Sequence, residues 1–242
     1  TEDFFSLLPF SPTRAQRRAV REAMTDLTGG SCMNRLIQGD VGSGKTAVAA
    51  ALCYSVVKNG FQAALMAPTE ILARQHFGVL SRLLEPAGIR VALLTGSIPA
   101  ARRKKILSGM EDGTVGLTVG THALFSKDVR FCRLGLVVTD EQHRFGVAQR
   151  AALSAKGTHP HLLVMSATPI PRTLALMIYG DLDLSVLDEL PPGRREIKTF
   201  AVTSDKRGRV FVFLKKRLAE GRQCYVVCPA IEEGEGGVAS VE

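Results

Sequence analysis

The segment GDVGSGKT at residues 39–46 has the residue types and spacing that bind a polyphosphate. It fits the pattern G-x-x-x-x-G-K-[ST], in which glycines let the backbone curl so that successive N–H groups point inward. The lysine supplies a mobile charge for the β- and γ-phosphates, and the threonine hydroxyl can ligate Mg²⁺. A glycine-rich turn is the alternative, but an apolar strand-like run before the loop and a helical run after it match the nucleotide-binding context. The predicted nucleotide-binding residues are Gly39, Gly42, Ser43, Gly44, Lys45 and Thr46.

A second candidate is the acidic pair Asp140-Glu141, which closes the apolar run LGLVVTD. An acid at the end of an apolar strand, in a chain with a phosphate-binding loop, is typical of a Walker B segment. Asp140 would hold the Mg²⁺ shell together with Thr46, and Glu141 would orient and deprotonate the attacking water. Taken alone, an Asp-Glu pair after a strand is usually a solvated turn, so this prediction depends on the loop. The predicted catalytic residues are Lys45, Asp140 and Glu141.

Two further patterns are weaker. Ser166 and Thr168 lie in the segment SATP after the apolar run LLVM, where an ordinary helix N-cap is the alternative to a functional role. Thr13 and Gln16 form T-x-x-Q before a helical stretch, which is typical of a capping box with no ligand. A capping role and a ligand role for Gln16 are compatible.

The elements that must position these residues alternate along the chain. Apolar runs predict strands at 34–38, 62–67, 90–95, 115–120, 134–140 and 161–166, and helical patterns occupy 45–58, 70–85, 98–108 and 170–179. Continuous apolar strands that alternate with helices predict an α/β fold with a parallel sheet covered by helices on both faces. Because ligands of such sheets bind at the carboxyl ends of the strands, most of the motifs should gather at one edge.

The alternating pattern lapses around residues 180–196, where Pro191-Pro192-Gly193 indicates a linker. We therefore predict a first domain at 1–190, a linker at 191–196 and a second α/β unit at 197–242. That unit is expected to contain a strand at 197–202, a helix at 205–220 and a strand at 223–228. One such unit cannot bury its own faces, so we expect it to be the truncated start of a second domain.

Composition narrows the class of protein. A net charge of +8 favours polyanionic partners, with a solvated basic surface as the alternative, so charge alone makes nucleic acid only a modest favourite. No apolar run is long enough to span a bilayer, which requires roughly 18 residues, and the first residues are too polar for a signal peptide. Five scattered cysteines with one C-x₃-C spacing argue against a zinc site. We expect a reduced, cytoplasmic protein without a membrane partner.

The motifs taken together resemble a known family. GDVGSGKT, APTEILARQH, LLTGS, GTHALF, TDEQHRFGVAQR and MSATPIPRT are similar to the first motor domain of a superfamily 2 helicase, and the similarity runs from residue 8 to about residue 233. DEQHRFGV, MSATPIPRT and GDLDLSVLDELPPGR narrow it to a bacterial group of ATP-dependent helicases that remodel branched DNA. The resemblance implies a RecA-like domain, ATP and Mg²⁺ as cofactors, DNA as partner, and a monomer in the bacterial cytoplasm.

The resemblance also implies roles for single residues. Gln16 would recognise adenine, with Phe10 near the base. Residues that would follow the phosphates of one DNA strand are Pro68, Thr69, Gly96, Ser97, Thr121 and His122, for which ordinary strand-end turn chemistry is the alternative. Residues that would couple the γ-phosphate to domain movement are Gln142, His143, Ser166 and Thr168.

Some features depart from the family pattern. Pro12 and Thr139 stand where aliphatic residues are usual, although neither change touches a catalytic group. The family's arginine finger and junction-reading domain are expected outside this chain, so isolated turnover should be at least about a thousandfold slower than in the intact protein. Three alternatives stay open: a transcription-repair coupling factor, which usually has Glu in place of Gln142; an RNA helicase, disfavoured because DEQH is not D-E-A-D; and a binding module with negligible turnover.

Overall fold

A computed structural model describes residues 2–140, 159–167, 182–189 and 198–227. The chain divides into two compact units, Thr1–Arg194 and Arg195–Glu242. The predicted boundary between a first domain at 1–190 and a second at 197–242 remains a prediction, and the predicted linker at 191–196 lies outside the described residues.

The first unit is built around a parallel sheet. Its strands are β1 (Asn34–Gly39), β2 (Gln62–Met66), β3 (Val91–Leu94), β4 (Leu117–Gly120), β5 (Leu134–Asp140), β6 (His161–Ser166) and β7 (Asp183–Leu187). They are ordered β3-β4-β2-β5-β6-β1-β7, and neighbouring strands run parallel. The six predicted strands are therefore confirmed in type, with ends that differ by at most two residues.

Two helices precede the first strand, and three connect the strands that follow. They are α1 (Glu2–Leu7), α2 (Arg14–Thr28), α3 (Lys45–Lys58), α4 (Glu70–Leu84) and α5 (Ala100–Glu111), with short 3₁₀ turns at Glu85–Ala87 and His122–Phe125. The predicted helix at 45–58 matches α3 residue for residue, and α4 ends one residue early. The predicted helix at 98–108 is shifted, because Pro99 occupies the N-cap of α5. The predicted helix at 170–179 lies outside the described residues.

Alternate residues of one strand show how the sheet is buried. Ala63 and Leu65 of β2 pack in one apolar cluster, whereas Ala64 and Met66 pack in another. Successive side chains of a strand point to opposite faces, so both faces of the sheet are covered. Helices α2, α3 and α4 supply the first cluster and α5 supplies the second. The predicted α/β class, with helices on both faces of a parallel sheet, is confirmed.

Strand β7 lies within residues 180–196, where the alternation of apolar strands and helices lapses and the sequence predicts no strand. It pairs with β1 at the edge of the sheet, and its residues alternate between exposed and buried rather than forming a continuous apolar run. β7 is the outermost strand, so it pairs with β1 alone, and side-chain hydrogen bonds help to hold the two strands together. The Arg35 guanidinium of β1 donates to Asp26 of α2 (2.5 Å) and to Ser185 of β7 (2.9 Å), so it joins three elements.

The second unit differs from the prediction. Its helix α6 (Arg207–Ala219) is present, preceded by a 3₁₀ turn at Ser204–Lys206. However, residues 198–203 and 222–227 are not strands, and Tyr225, Val226 and Val227 are exposed. A strand requires a neighbour for its backbone N–H and C=O groups, and neither segment pairs with another among the residues described for this unit. The prediction of strands at 197–202 and 223–228 is therefore wrong over the described positions.

The helices and the cysteine side chains bear on two expectations from composition. Among the described residues, none of the helices combines the length and the apolar character that a membrane span requires. Cys32, Cys53, Cys132 and Cys224 are free thiols, and Cys228 lies outside the described residues. Burial raises the pKa of the Cys53 thiol to about 12, so this side chain behaves as a small apolar group in the core.

Candidate nucleotide and nucleic-acid site

The strand register brings the predicted site residues to one edge of the sheet. Asp140 lies opposite Met165, and Gln38 lies opposite Ser166, so the ends of β5, β6 and β1 are neighbours. On the other side, Leu94 lies opposite Gly120, and Gly120 lies opposite Met66. The edge therefore has two halves: β5, β6 and β1 carry the predicted nucleotide residues, and β3, β4 and β2 lead into the predicted DNA residues.

The loop between β1 and α3 has the backbone that the glycine pattern requires. Gly42 and Gly44 adopt positive φ of 79° and 90°, a region that residues with a Cβ rarely enter. Gly44 is the N-cap of α3, and no side chain caps that helix end. The first N–H groups of α3 thus face the loop, where the helix dipole favours an anion.

Lys45 closes the loop on itself. Its Nζ donates to the carbonyl oxygens of Gly39 (2.6 Å) and Asp40 (3.1 Å). The lysine therefore lies over the concave side of the loop, at the place that the pattern assigns to the phosphates. A bound polyphosphate would exchange these neutral acceptors for charged ones, which make stronger hydrogen bonds.

Gln16 is the link between α2 and the loop. Its Oε1 accepts from the Thr13 N–H (3.0 Å), and the Thr13 hydroxyl accepts from the Gln16 N–H (3.2 Å), so the capping box is present. Its Nε2 donates to the Ser43 carbonyl (2.7 Å), and the residue is 2% exposed. The capping role is thus confirmed, and the adenine role remains a prediction.

A cavity of about 330 Å³ lies at this junction, lined by Phe10, Gln16, Gly42, Gly44, Lys45 and Thr46. Phe10 is 47% exposed, so part of this aromatic side chain is accessible to a planar ligand. The lining therefore contains an aromatic ring, a buried amide, a lysine and a helix N-terminus. These groups are the ones expected for a base at one end and phosphates at the other.

The loop fits a polyphosphate on further grounds. The Ser43 hydroxyl is buried and has no hydrogen-bond partner in the described part of the chain. A Cβ on Gly39 would come within 2.6 Å of that hydroxyl and 2.9 Å of Leu187 Cβ, so only glycine leaves the cradle intact. Thr46 lines the same cavity. No group of three metal-ligating side chains exists in the described ranges, but Mg²⁺ in nucleotide sites usually takes only one or two protein ligands.

Asp140 has a partner that the sequence did not indicate. Its Oδ2 lies 2.6 Å from Nε2 of His76 on α4, and the two side chains are 13% and 11% exposed. His76 lies in the buried stripe of α4, three residues after Ala73 and four before Leu80. A polar residue in an apolar helical stripe could have been noticed, because a buried polar group needs a partner. The sequence did not identify which residue that partner was.

The other half of the edge carries the predicted DNA residues. Gly96, Ser97 and His122 are exposed, whereas Pro68, Thr69 and Thr121 are half-buried. All six follow directly after β2, β3 or β4. The Thr69 hydroxyl caps α4 by accepting from the Leu72 N–H (3.3 Å), so its ordinary capping role is established.

Ser97 is held by an acidic and a basic residue of α4. Its hydroxyl donates to Glu70 in a very short hydrogen bond, and the Arg74 guanidinium contacts both Glu70 (2.5 Å) and Ser97 (3.2 Å). The Ser97 hydroxyl and the Arg74 guanidinium together hold the pKa of Glu70 below its usual range. A negative side chain thus lies among groups predicted to meet phosphates, and it connects the start of α4 with the end of β3.

Four predicted residues cannot be placed. Glu141, Gln142, His143 and Thr168 lie outside the described residues. Ser166 is fully buried at the end of β6, beside β1 and β5. The predictions for catalysis by Glu141 and for coupling by these residues therefore remain predictions.

Comparisons with known proteins agree with this arrangement. Residues 13–177 match the family described as DEAD/DEAH box helicase. The chain is 53% identical over 234 residues to the ATP-dependent DNA helicase RecG of Synechocystis, covering 97% of this chain and 28% of that protein. It is 51% identical over 232 residues to RecG of Bacillus subtilis, covering 96% of this chain and 34% of that protein. The chain thus spans about a third of the length of these relatives.

Solved structures give the same result. A structure of RecG bound to a three-way DNA junction superposes with a TM-score of 0.80 at 44% identity, covering 91% of this chain and 30% of that chain. The DNA-bound DUF1998 helicase MrfA superposes with a TM-score of 0.66 at 18% identity, covering 92% of this chain and 35% of that chain, which supports the fold alone. The narrower resemblance that the motifs predicted is therefore confirmed.

Proposed function

The chain belongs to the DEAD/DEAH box helicase family, and on this premise we propose that it is the ATP-binding motor domain of a DNA helicase that remodels branched DNA. The observation that carries this proposal is the division of one sheet edge into a half that contains the phosphate loop and a half whose strand ends carry the predicted DNA residues, with Ser97 and His122 exposed. The two halves meet where β2 and β5 pair. ATP bound at one half and DNA at the other would thus be held by adjacent strands of one rigid sheet.

In the nucleotide half, the loop N–H groups and Lys45 would bind the phosphates, and Gln16 with Phe10 would recognise the base. Thr46 and Asp140 would hold Mg²⁺, which neutralises charge on the phosphates when it is bound. Glu141 follows Asp140 directly and would orient and deprotonate the attacking water. The geometry of the loop supports phosphate binding by Lys45 and base recognition by Gln16, and the sequence alone supports the role of Glu141.

In the DNA half, Thr69, Gly96, Ser97, Thr121 and His122 would contact the phosphates of one strand. Short polar side chains and backbone N–H groups at strand ends position a nucleic acid without reading its bases. The net charge of +8 supports a polyanionic partner. RecG relatives are ATP-dependent DNA helicases, and one is known bound to a three-way junction, which favours branched DNA in the bacterial cytoplasm as the site of action.

The experiment that tests the proposal is calorimetric titration of the purified protein with ATP and Mg²⁺. We expect Lys45→Ala to weaken binding at least tenfold, about 1.4 kcal/mol. Lys58→Ala is the matched control, because Lys58 ends the same helix about 20 Å away and donates to the Ala87 carbonyl instead. Equal affinities of the Lys45 and Lys58 variants would refute the assignment of the loop.

A further inference from the structure

We propose that His76 is a positioning residue that fixes the Asp140 carboxylate and ties it to the start of the DNA-facing helix α4. The inference rests on the proposed function, because it gives a role to a motif residue for which the sequence predicted none. If His76 has this role, the affinity of the site for Mg²⁺ depends on His76. Through His76, that affinity also depends on whether DNA is bound at the beginning of α4.

The contact itself is the first support. His76 Nε2 and Asp140 Oδ2 are 2.6 Å apart, and both side chains are nearly nine-tenths buried. A carboxylate that ligates a metal only accepts hydrogen bonds, so in this role the imidazole would donate through Nε2–H. In these surroundings water screens the contact little, and the donor fixes one carboxylate oxygen. The direction of the other oxygen is then fixed too, which is what a metal ligand requires from the residues that support it.

The position of Asp140 is the second support. It is the last residue of β5, and its register partner Met165 directly precedes Ser166 on β6. The next strand beyond β6 is β1, which ends at the phosphate-binding loop. The Asp140 carboxylate therefore lies in the same row of strand ends as the phosphate-binding loop. His76 contacts the one titratable side chain that β5 presents there.

The origin of His76 is the third support. It lies on α4, seven residues after Thr69, which is about 10 Å along a helix. The first two turns of α4 contact Ser97 through Glu70 and Arg74, so the helix start is tied to the residues that follow β3. Because one continuous hydrogen-bonded helix joins the two, a displacement at its start would be carried to His76. The contact between His76 and Asp140 therefore joins the DNA half of the edge to the nucleotide half.

The test measures equilibrium binding of a fluorescent, non-hydrolysable ATP analogue while Mg²⁺ is titrated, so that it needs no turnover. The variants are His76→Gln, whose amide nitrogen reaches the position of Nε2, and His76→Asn, whose amide nitrogen reaches only the position of Nδ1. Far-UV circular dichroism and the unfolding midpoint establish that both are folded. His76→Leu is added as a variant without any donor.

The Mg²⁺ midpoint is the Mg²⁺ concentration at which the enhancement of analogue binding is half-maximal. We expect this midpoint to rise about tenfold in His76→Asn and His76→Leu, and to stay within twofold of wild type in His76→Gln. Affinity in EDTA should be the same for all four proteins, because the phosphate loop is untouched. A short DNA duplex should shift the Mg²⁺ midpoint at least twofold in wild type and His76→Gln, and not in the other two.

Equal Mg²⁺ midpoints in His76→Gln and His76→Asn would overturn the inference. A loss of analogue affinity in both variants that also appears in EDTA would overturn it too, and would show that His76 only packs the core. A DNA shift that persists in His76→Leu would overturn the link through α4. Failure of the proposed function is distinguishable, because it would appear as analogue binding that does not depend on Lys45. That result would remove this inference as well.

Discussion

Replacing Gly44 by alanine tests how the phosphate-binding loop is held against α2. Gly44 has a φ of 90°, and a Cβ placed on it would lie 2.2 Å from Nε2 of Gln16. That nitrogen donates to the Ser43 carbonyl at 2.7 Å. The substitution therefore has two effects, backbone strain at Gly44 and displacement of the Gln16 side chain.

The two effects can be estimated separately. An alanine in the left-handed region costs about 1–2 kcal/mol. Displacing Gln16 removes a buried hydrogen bond, which costs about 1–3 kcal/mol more. We therefore expect Gly44→Ala to lower the free energy of unfolding by about 2–5 kcal/mol. Gly88→Ala is the matched control, because Gly88 has a φ of 78° and open space around its Cβ position, so only the strain of about 1–2 kcal/mol applies.

Urea unfolding followed by far-UV circular dichroism measures these values, since the chain contains no tryptophan for fluorescence. The Gln16→Ala background gives the sharper comparison, because it removes the obstacle to a Cβ at Gly44. There the cost of Gly44→Ala should fall to that of Gly88→Ala, a coupling of about 1–3 kcal/mol. Equal costs for the two glycines in the wild-type background, or no coupling, would refute the contact between Gln16 and the loop.

Further predictions concern DNA, pH and the edge of the sheet. Duplex binding should be weak, without preference for forks, and log K should fall with log[salt] by about 0.9 for each phosphate contacted; affinity independent of salt would contradict it. Burial lowers the pKa of His161, whose Nδ1 accepts from the Met33 N–H (2.9 Å), so its contribution to stability is complete above pH 6.5 and is lost as pH falls below it. Urea midpoints from pH 8 to 5 should therefore fall more steeply in wild type than in His161→Gln, and equal slopes would refute this. Arg35→Ala should cost about 3–5 kcal/mol because it leaves Asp26 unpaired, against less than about 1 kcal/mol for Arg103→Ala, whose partner Asp128 is exposed; similar losses on urea unfolding would show that the Arg35 pair adds nothing.

The elements were predictable wherever they depend on neighbours in sequence. Apolar runs of five or six residues identified β1, β2 and β6 nearly to the residue, because both faces of these strands are buried. The alternating pattern of β7 is weaker because only part of that strand is covered. The strands expected at 197–202 and 223–228 failed for the opposite reason, since an apolar run is not a strand without a neighbour to pair with.

The candidate site divides in the same way. The sequence by itself determined the phosphate loop, the acid after β5 and the polar strand ends, because each is a short segment whose chemistry depends on spacing along the chain. The tertiary structure decided the order of the strands, the two halves of the edge, and the partner of Asp140, which is 64 residues away in sequence. Such contacts follow from how the strands pair and how α4 packs on the sheet. No local pattern encodes them, because a buried histidine looks the same in sequence whichever carboxylate it meets.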